Sequence, residues 1–503
     1  MKSMREQLIA WQKRKINSQK VNSNETLTIY HTSVENQRVL ELKKYRKIRK
    51  SENKPIEIQQ QKTETLKNTQ LQDITTKKEE LYLCMGIDIG TSTTKVIIQH
   101  LYADDSFYVV DFQENGIVEN TYLLPTEISQ DNNANYVLSK KNACHTFDNL
   151  KVNFMKKQEQ STCYLRAFIA NVIKYSQNWF INKYGSLDIF KEKEFIWQFN
   201  MGIPSASFNE TGENERYKIL LTEAYNLSQC NMISTISKIS SKSPQHIELN
   251  IIPEIVATIQ SYLKQNGTTP EGLYCAIDIG ASTLDICTFK IQHDDDQDKY
   301  SFFYSKVEEF GAYKYRENMF SYLYKISELF NSKYSLLKNN PLVSENLNDY
   351  ILTDEIKMHQ ESALKIFFDK CSQLIRTVIH QTKLRRDPFA KEWTSSFPII
   401  LCGGGSYLKR YNEMLDKINF EYFQNTQFFG EQKPQMTYVK LSSEPYISNI
   451  KVDPKRMLVA QGLSYPFIDF DDIKIYYKET EIVDIVKQVN HSYEDNYISK
   501  EQV

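Results

Sequence analysis

At 503 residues the chain has room for two or three domains and can bury large cores without disulfide or metal staples. Its 62 basic and 63 acidic residues leave a net charge of −1, so no global field draws in nucleic acid. The eight cysteines form no Cys-x-x-Cys pair and the eight histidines no His-x-x-x-His pair, which argues against a zinc site.

Several cysteines lie inside apolar runs, as in "LYCAIDIG", and this predicts buried, reduced thiols. No apolar run approaches the roughly 18–20 residues of a membrane span. The opening "MKSMREQLIAWQKRK" lacks the apolar stretch and cleavage site of a signal peptide. The expectation is a soluble, cytoplasmic protein with no membrane contact.

Residues 1–80 are rich in Lys, Gln, Asn, Glu and Thr, with one proline (Pro55) and no glycine. Met4, Leu8, Ile9 and Trp11 sit at near-helical spacing, and "KKYRKIRK" (43–50) is a basic cluster. The segment reads either as a solvated, partly helical arm or as a docking segment for an anionic or helical partner. From Leu81, "LYLCMGIDIG", "TSTTKVIIQHL" and "FYVVDF" read as strand, polar turn and strand. Residues 161–184 predict a helix, "EFIWQFNMGIP" a buried strand, and residues 273–291 a second strand-turn-strand unit. Residues 313–386 are mostly helical. "FPIILCGGGS" is a strand entering a glycine turn, "YLKRYNEMLDKI" the helix beside it, and the chain turns charged after "RMLVAQGLSYP". Strands and helices alternate, so the fold class is α/β.

Two of these turns are nearly the same. "IDIGTSTTK" (87–95) and "IDIGASTLD" (277–285) place Asp88 and Asp278 at an offset of 278 − 88 = 190 residues. That is too long for a solenoid repeat and right for two related domains. An unpaired carboxylate in a buried strand is costly, and a hydrated divalent cation is one way to compensate Asp88. Gly90 permits a tight reversal, after which Thr91, Ser92 and Thr93 present N–H groups and hydroxyls suited to phosphate oxygens. A hairpin whose Asp bonds its own turn is the alternative for this turn taken alone. The second turn repeats the device with Gly280, Ala281, Ser282 and Thr283, and adds Asp285. Two such loops facing each other would clamp a nucleotide's phosphates, with Mg²⁺ held through water by Asp88 and Asp278. "CGGGS", with Gly403, Gly404, Gly405 and Ser406, either caps a strand or lets the backbone lie flat against the adenosine end.

The three turns in this order resemble the actin-like ATPase superfamily, and most of all the ATPase domain of the 70-kDa heat-shock chaperones (DnaK type). The resemblance spans about residues 82–468 and implies two duplicated α/β lobes, 81–270 and 271–468, around a central nucleotide cleft. The arm 1–80 and a tail 469–503 flank them. "FDNLKVNF" resembles the family's stretch carrying an essential lysine, which implies a catalytic role for Lys151. "IPEIVATIQSY" stands where the family has a Glu-Pro helix, which puts Glu254 near the nucleotide, although the order here is Pro253-Glu254. "FGAYKYREN" implies a nucleotide-facing glycine at Gly311.

The resemblance makes Asp278, Asp285 and Thr283 catalytic with Lys151 and Glu254, and Lys95 is the next candidate should Lys151 be misplaced. Adenine contacts are expected on the long helix at Arg376, His380 and Lys383. Gly280-Ala281-Ser282-Thr283 departs from the family's Gly-Gly-Gly-Thr. Only 503 − 466 = 37 residues follow Pro466, so the peptide-binding domain of the chaperones is not expected. The implied activity is slow, partner-dependent ATP hydrolysis in a nucleotide-switched interaction module that docks a protein through the arm or tail. A filament-forming actin-like protein and a small-molecule kinase are the alternatives. Dehydratase-activating ATPases share the first turn but need cluster-binding cysteines, which these scattered ones do not supply.

Overall fold

A computed structural model describes residues 78–475, apart from 102–105, 114–121, 140–142, 205–206, 208–211, 235–240, 243–246, 266–269, 294–297, 327–353, 426, 442–445, 448–451 and 471–472. The apolar stripe at Met4–Trp11, the basic cluster at 43–50 and nearly all of the tail lie outside the described residues.

In chain order the strands are β1 (Glu80–Ile89), β2 (Thr93–His100), β3 (Phe107–Val109), β4 (Leu124–Pro125), β5 (Ile128–Asp131), β6 (Tyr136–Val137), β7 (Ala143–Phe147), β8 (Glu194–Ile203) and β9 (Glu248–Pro253). They continue as β10 (Gly272–Ile279), β11 (Leu284–His293), β12 (Asp298–Glu308), β13 (Ser396–Cys402), β14 (Gln435–Tyr438), β15 (Tyr446–Ile447) and β16 (Ile473–Ile475). The α-helices are α1 (Leu150–Met155), α2 (Ser161–Tyr184), α3 (Glu213–Ser228), α4 (Glu254–Gln265), α5 (Ala312–Ile326), α6 (Asp354–Arg385), α7 (Lys409–Lys417) and α8 (Pro454–Leu463).

Two large sheets share one plan. The first runs β3-β2-β1-β8-β9 and the second β12-β11-β10-β13-β14. In each, the first three strands are antiparallel and the last three parallel, with the turn-bearing strand (β1 or β10) at the junction. The central strands are buried on both faces, as parallel strands require: β1 is buried from Leu83 to Ile89 and β10 almost throughout. A small sheet of β6-β5-β7 stands apart.

Three apolar cores alternate with the sheets. Leu165, Phe168, Ile169 and Val172 of α2 and Leu220, Leu221 and Ala224 of α3 cover the outer face of the first sheet. Tyr315 of α5, Phe367, Cys371 and Ile375 of α6 and Met414 of α7 cover the outer face of the second. Between the sheets lie α4 and α8, whose Ile255, Ile259, Met457 and Leu458 share one core with Ile97 of β2, Ala276 of β10 and Cys287 of β11. The layers are therefore helix, sheet, helix pair, sheet and helix.

Small residues let the central layer close. A Cβ on Gly462 of α8 would collide with the backbone of Ala257 on α4, and one on Gly86 of β1 would stand 2.5 Å from the carbonyl of Ala460. Buried Asn200 on β8 then fixes the end of α8 by donating to the carbonyls of Leu463 and Tyr465, each at 2.8 Å. Two short strands late in the chain extend the sheet edges, and the first of them crosses the sequence boundary near residue 270. β15 pairs parallel with β3 at the edge of the first sheet, and β16 pairs with β12 in the second. No helix among the described residues is long and apolar enough to cross a membrane. None of the eight cysteines is in a disulfide; five are buried, while Cys144 and Cys163 are exposed.

Candidate active site

Both Asp-x-Gly turns have the same construction. In the first, Gly90 N donates to Thr93 O at 3.2 Å; in the second, Gly280 N donates to Thr283 O at 2.9 Å. Each closes a two-residue hairpin loop, and each aspartate faces a partner seven residues on: Asp88 lies opposite Lys95, and Asp278 opposite Asp285. Different neighbours brace the two. Thr126 donates its backbone N–H to Ser92 O at 3.0 Å and its hydroxyl to Gly90 O at 2.7 Å. The second turn is held by Gly311, Ala312 and Tyr313, whose N–H groups reach the carbonyls of Ser282, Gly280 and Ala281 at 2.9, 3.0 and 2.6 Å. Thr91, Ser92, Thr93 and Ala281, Ser282, Thr283 are all at least partly exposed, above buried strands.

Below the turns, charged groups from both sheets gather. Asp88, 4% exposed, does not bond its own turn; it pairs with Lys95 Nζ at 2.5 Å. Lys151, in the first turn of α1 and 7% exposed, meets Glu254 Oε1 at 2.6 Å. Glu254 opens α4 immediately after Pro253, where the helix N-terminus favours a carboxylate. Gly202 on β8 leaves its side chain room, since a Cβ there would stand 3.1 Å from Glu254 Cγ.

These groups are coupled across the two sheets. Burial pushes Asp278 up to about 7, with Glu254 and Asp88 adding to the push and Lys95 and Lys151 opposing it. Burial also raises Asp285 well above the usual carboxylate range, reinforced by Asp278 and Glu254. Burial works to discharge Lys151, but the adjoining Glu254 carboxylate outweighs it and holds the ammonium above its ordinary range. Asp285 Oδ1 is buried and has no hydrogen-bond partner. Such an oxygen carries a desolvation penalty unless a ligand or water meets it.

The glycine turn adjoins the second aspartate. Gly403, at φ +82°, passes so close to the Asp278 carboxylate and Ile279 carbonyl that any Cβ would collide with them, and Gly405 is pressed against the Ile279 side chain. Gly311 is likewise forced by the Ser282 backbone, and Gly90 by Thr93 O at 2.5 Å. Gly280 and Gly404 are different. A Cβ on Gly280 would meet nothing nearer than 3.4 Å, and one on Gly404 nothing nearer than 3.6 Å, where the Arg456 guanidinium lies. Protein packing does not demand glycine at these two positions, so each leaves a bare backbone face for a ligand. Ser406 is 1% exposed and donates its hydroxyl to Gly403 O at 2.7 Å, so it shapes the turn from within.

No family model and no curated protein matches the chain. The site residues read from the sequence nevertheless gather on the two turns, the coupled charges and the glycine turn. The expected adenine contacts on α6 have aromatic neighbours. Arg376 lies over the Tyr422 ring at 5.6 Å, His380 stacks on Phe428 at 4.1 Å, and Lys383 faces Trp393, Phe428 and Phe429. That face of α6 is taken up by the aromatic segment after α7. Arg456, at the start of α8, is the cation beside the glycine turn, and Thr126 the brace of the first turn. Neither stood out, because a lone Arg or Thr carries no spacing signal. Lys95, the second candidate cation of the sequence reading, stands opposite Asp88, and 285 − 95 = 190 puts it at the same offset as the aspartates.

The donor set is made of hard oxygens, which suits Mg²⁺. Among the described residues no three His, Cys, Asp or Glu side chains group as direct metal ligands. An Mg²⁺ here would take most of its ligands from water and phosphate, its usual habit. Asp88 and Asp278 would hold it through water, and it would supply charge neutralisation.

Proposed function

We propose that the chain binds ATP with Mg²⁺ between its two sheets and hydrolyses it slowly, in an actin-like fold like that of the heat-shock chaperone ATPase domain. The observation that carries this reading is the repeated turn. Two Asp-x-Gly hairpins with identical closure and register, one per sheet, stand over a single coupled set of charges. The repeated strand order, the unpaired Asp285 oxygen and the two unforced glycines support it further.

In this reading the turn N–H groups and hydroxyls receive the phosphates, and the backbone at Gly404 receives the adenosine side. Lys151 offsets charge that develops on the γ-phosphoryl group. A water attacks the γ-phosphorus, the bond to the bridging oxygen breaks, and ADP leaves. The water's proton passes to a carboxylate, Glu254 or Asp285, and from there to solvent. Contacts made to ATP from both sheets and lost with the γ-phosphate shift the lobes between two arrangements. A protein partner that senses this change is the proposed output.

Titration with labelled ATP tests the claim. One site per chain, abolished by excess EDTA, is expected. Absence of binding to any adenine nucleotide would overturn it.

A further inference from the structure

Tyr217 lies on α3, 3% exposed, with its ring edge-on to Phe154 at a centroid separation of 5.0 Å. Phe154 sits three residues beyond Lys151 on α1, so the phenol is anchored against the helix that carries the ammonium. The Tyr217 hydroxyl oxygen is buried and has no hydrogen-bond partner. Ser207 is near enough to lower its pKa, yet no hydrogen bond of normal geometry joins them. Burial dominates and raises the phenol's pKa, so it stays protonated, and both Lys151 and Glu254 act on it electrostatically.

A buried hydroxyl without a partner carries a desolvation penalty, and phenylalanine would fill the same space without it. The hydroxyl at this position therefore points to a second arrangement in which it is satisfied. The neighbouring ion pair supplies one. Lys151 is proposed to turn toward phosphate, and a buried carboxylate that loses its cation is strongly destabilised.

We propose that Tyr217 is a positioning residue: its hydroxyl donates to the Glu254 carboxylate when a phosphate group draws the Lys151 ammonium away. Glu254 then remains an anion, ready to accept the proton of the attacking water. The proposal rests on the cleft being an ATP site, and Tyr217 itself does not touch the nucleotide.

Tyr217→Phe in the full chain tests it. Without nucleotide the melting temperature stays the same or rises, because only an unpaired hydroxyl is lost. KM for ATP with Mg²⁺ stays within about twofold while kcat falls about tenfold, the worth of one hydrogen bond made during turnover. An unchanged kcat would show the hydroxyl to be idle and overturn the proposal. A clear fall in the melting temperature of the nucleotide-free variant would make the residue structural and also overturn it. If the unmodified chain itself neither binds nor hydrolyses ATP, the cleft reading fails first, visibly in the parent protein, and takes this proposal with it.

Discussion

Lys95 and Asp285 hold the same register position on different sheets, and that one exchange gives the repeated turns opposite characters. Asp88 is neutralised by Lys95 at 2.5 Å, whereas Asp278 faces a second carboxyl. With its pKa raised to about 7, Asp278 binds a proton on folding that the unfolded chain releases near 4. Its contribution to stability is complete below about pH 4 and is lost as pH rises through about 7. Asp278→Asn should match the parent near pH 4.5 and become more stable than it by about 2 kcal/mol near pH 8. Denaturant titrations at the two pH values check this; a difference that does not grow with pH would refute it. Lys151→Ala should abolish measurable hydrolysis and lower the melting temperature, because Glu254 is left buried without its cation. That loss should shrink at low pH, where Glu254 takes up a proton. Turnover unchanged in the variant would shift the cationic role to Lys95.

The turns and strands that carry the site were legible because each is long, apolar and followed by a distinctive polar loop. Residues 161–184 were expected to be helical and form α2 over that span. β15 and β16, two and three residues long, have no periodicity to detect and exist only through pairing with distant strands. The aromatic surroundings of Arg376, His380 and Lys383 were not legible for a related reason: helical periodicity on α6 says that one face is buried, and nothing about what covers the other. The glycines offer a test at this scale. Gly280→Ala and Gly404→Ala should leave the melting temperature nearly unchanged and weaken ATP binding at least tenfold. Gly311→Ala and Gly403→Ala should instead destabilise the fold by about 1–3 kcal/mol, since a Cβ there meets backbone or carboxylate. Melting curves and ATP titrations of the four variants separate the classes, and a common response of all four would refute the distinction.

Across the whole molecule the two sheets are joined through α4 and α8, which fill the space between them and cross at Gly462 and Ala257. The duplicated strand order was foreshadowed by the repeated turn, but this shared layer was not, because its contacts join residues about 200 positions apart. β15 and the Asn200 anchor carry this further, into the order in which the protein can form. On a ribosome the first sheet emerges early, yet its β3 edge stays unpaired and its inner face has only α4 to cover it until residues 446–465 have been made. A fragment of residues 78–270 should therefore be insoluble or collect on chaperones, although it contains a full set of central strands. A soluble fragment with a cooperative melt would refute this. The newborn amino-terminal lobe would thus depend on late translation for its completion, and a stalled or prematurely terminated message would yield an aggregation-prone chain in place of half a folded protein.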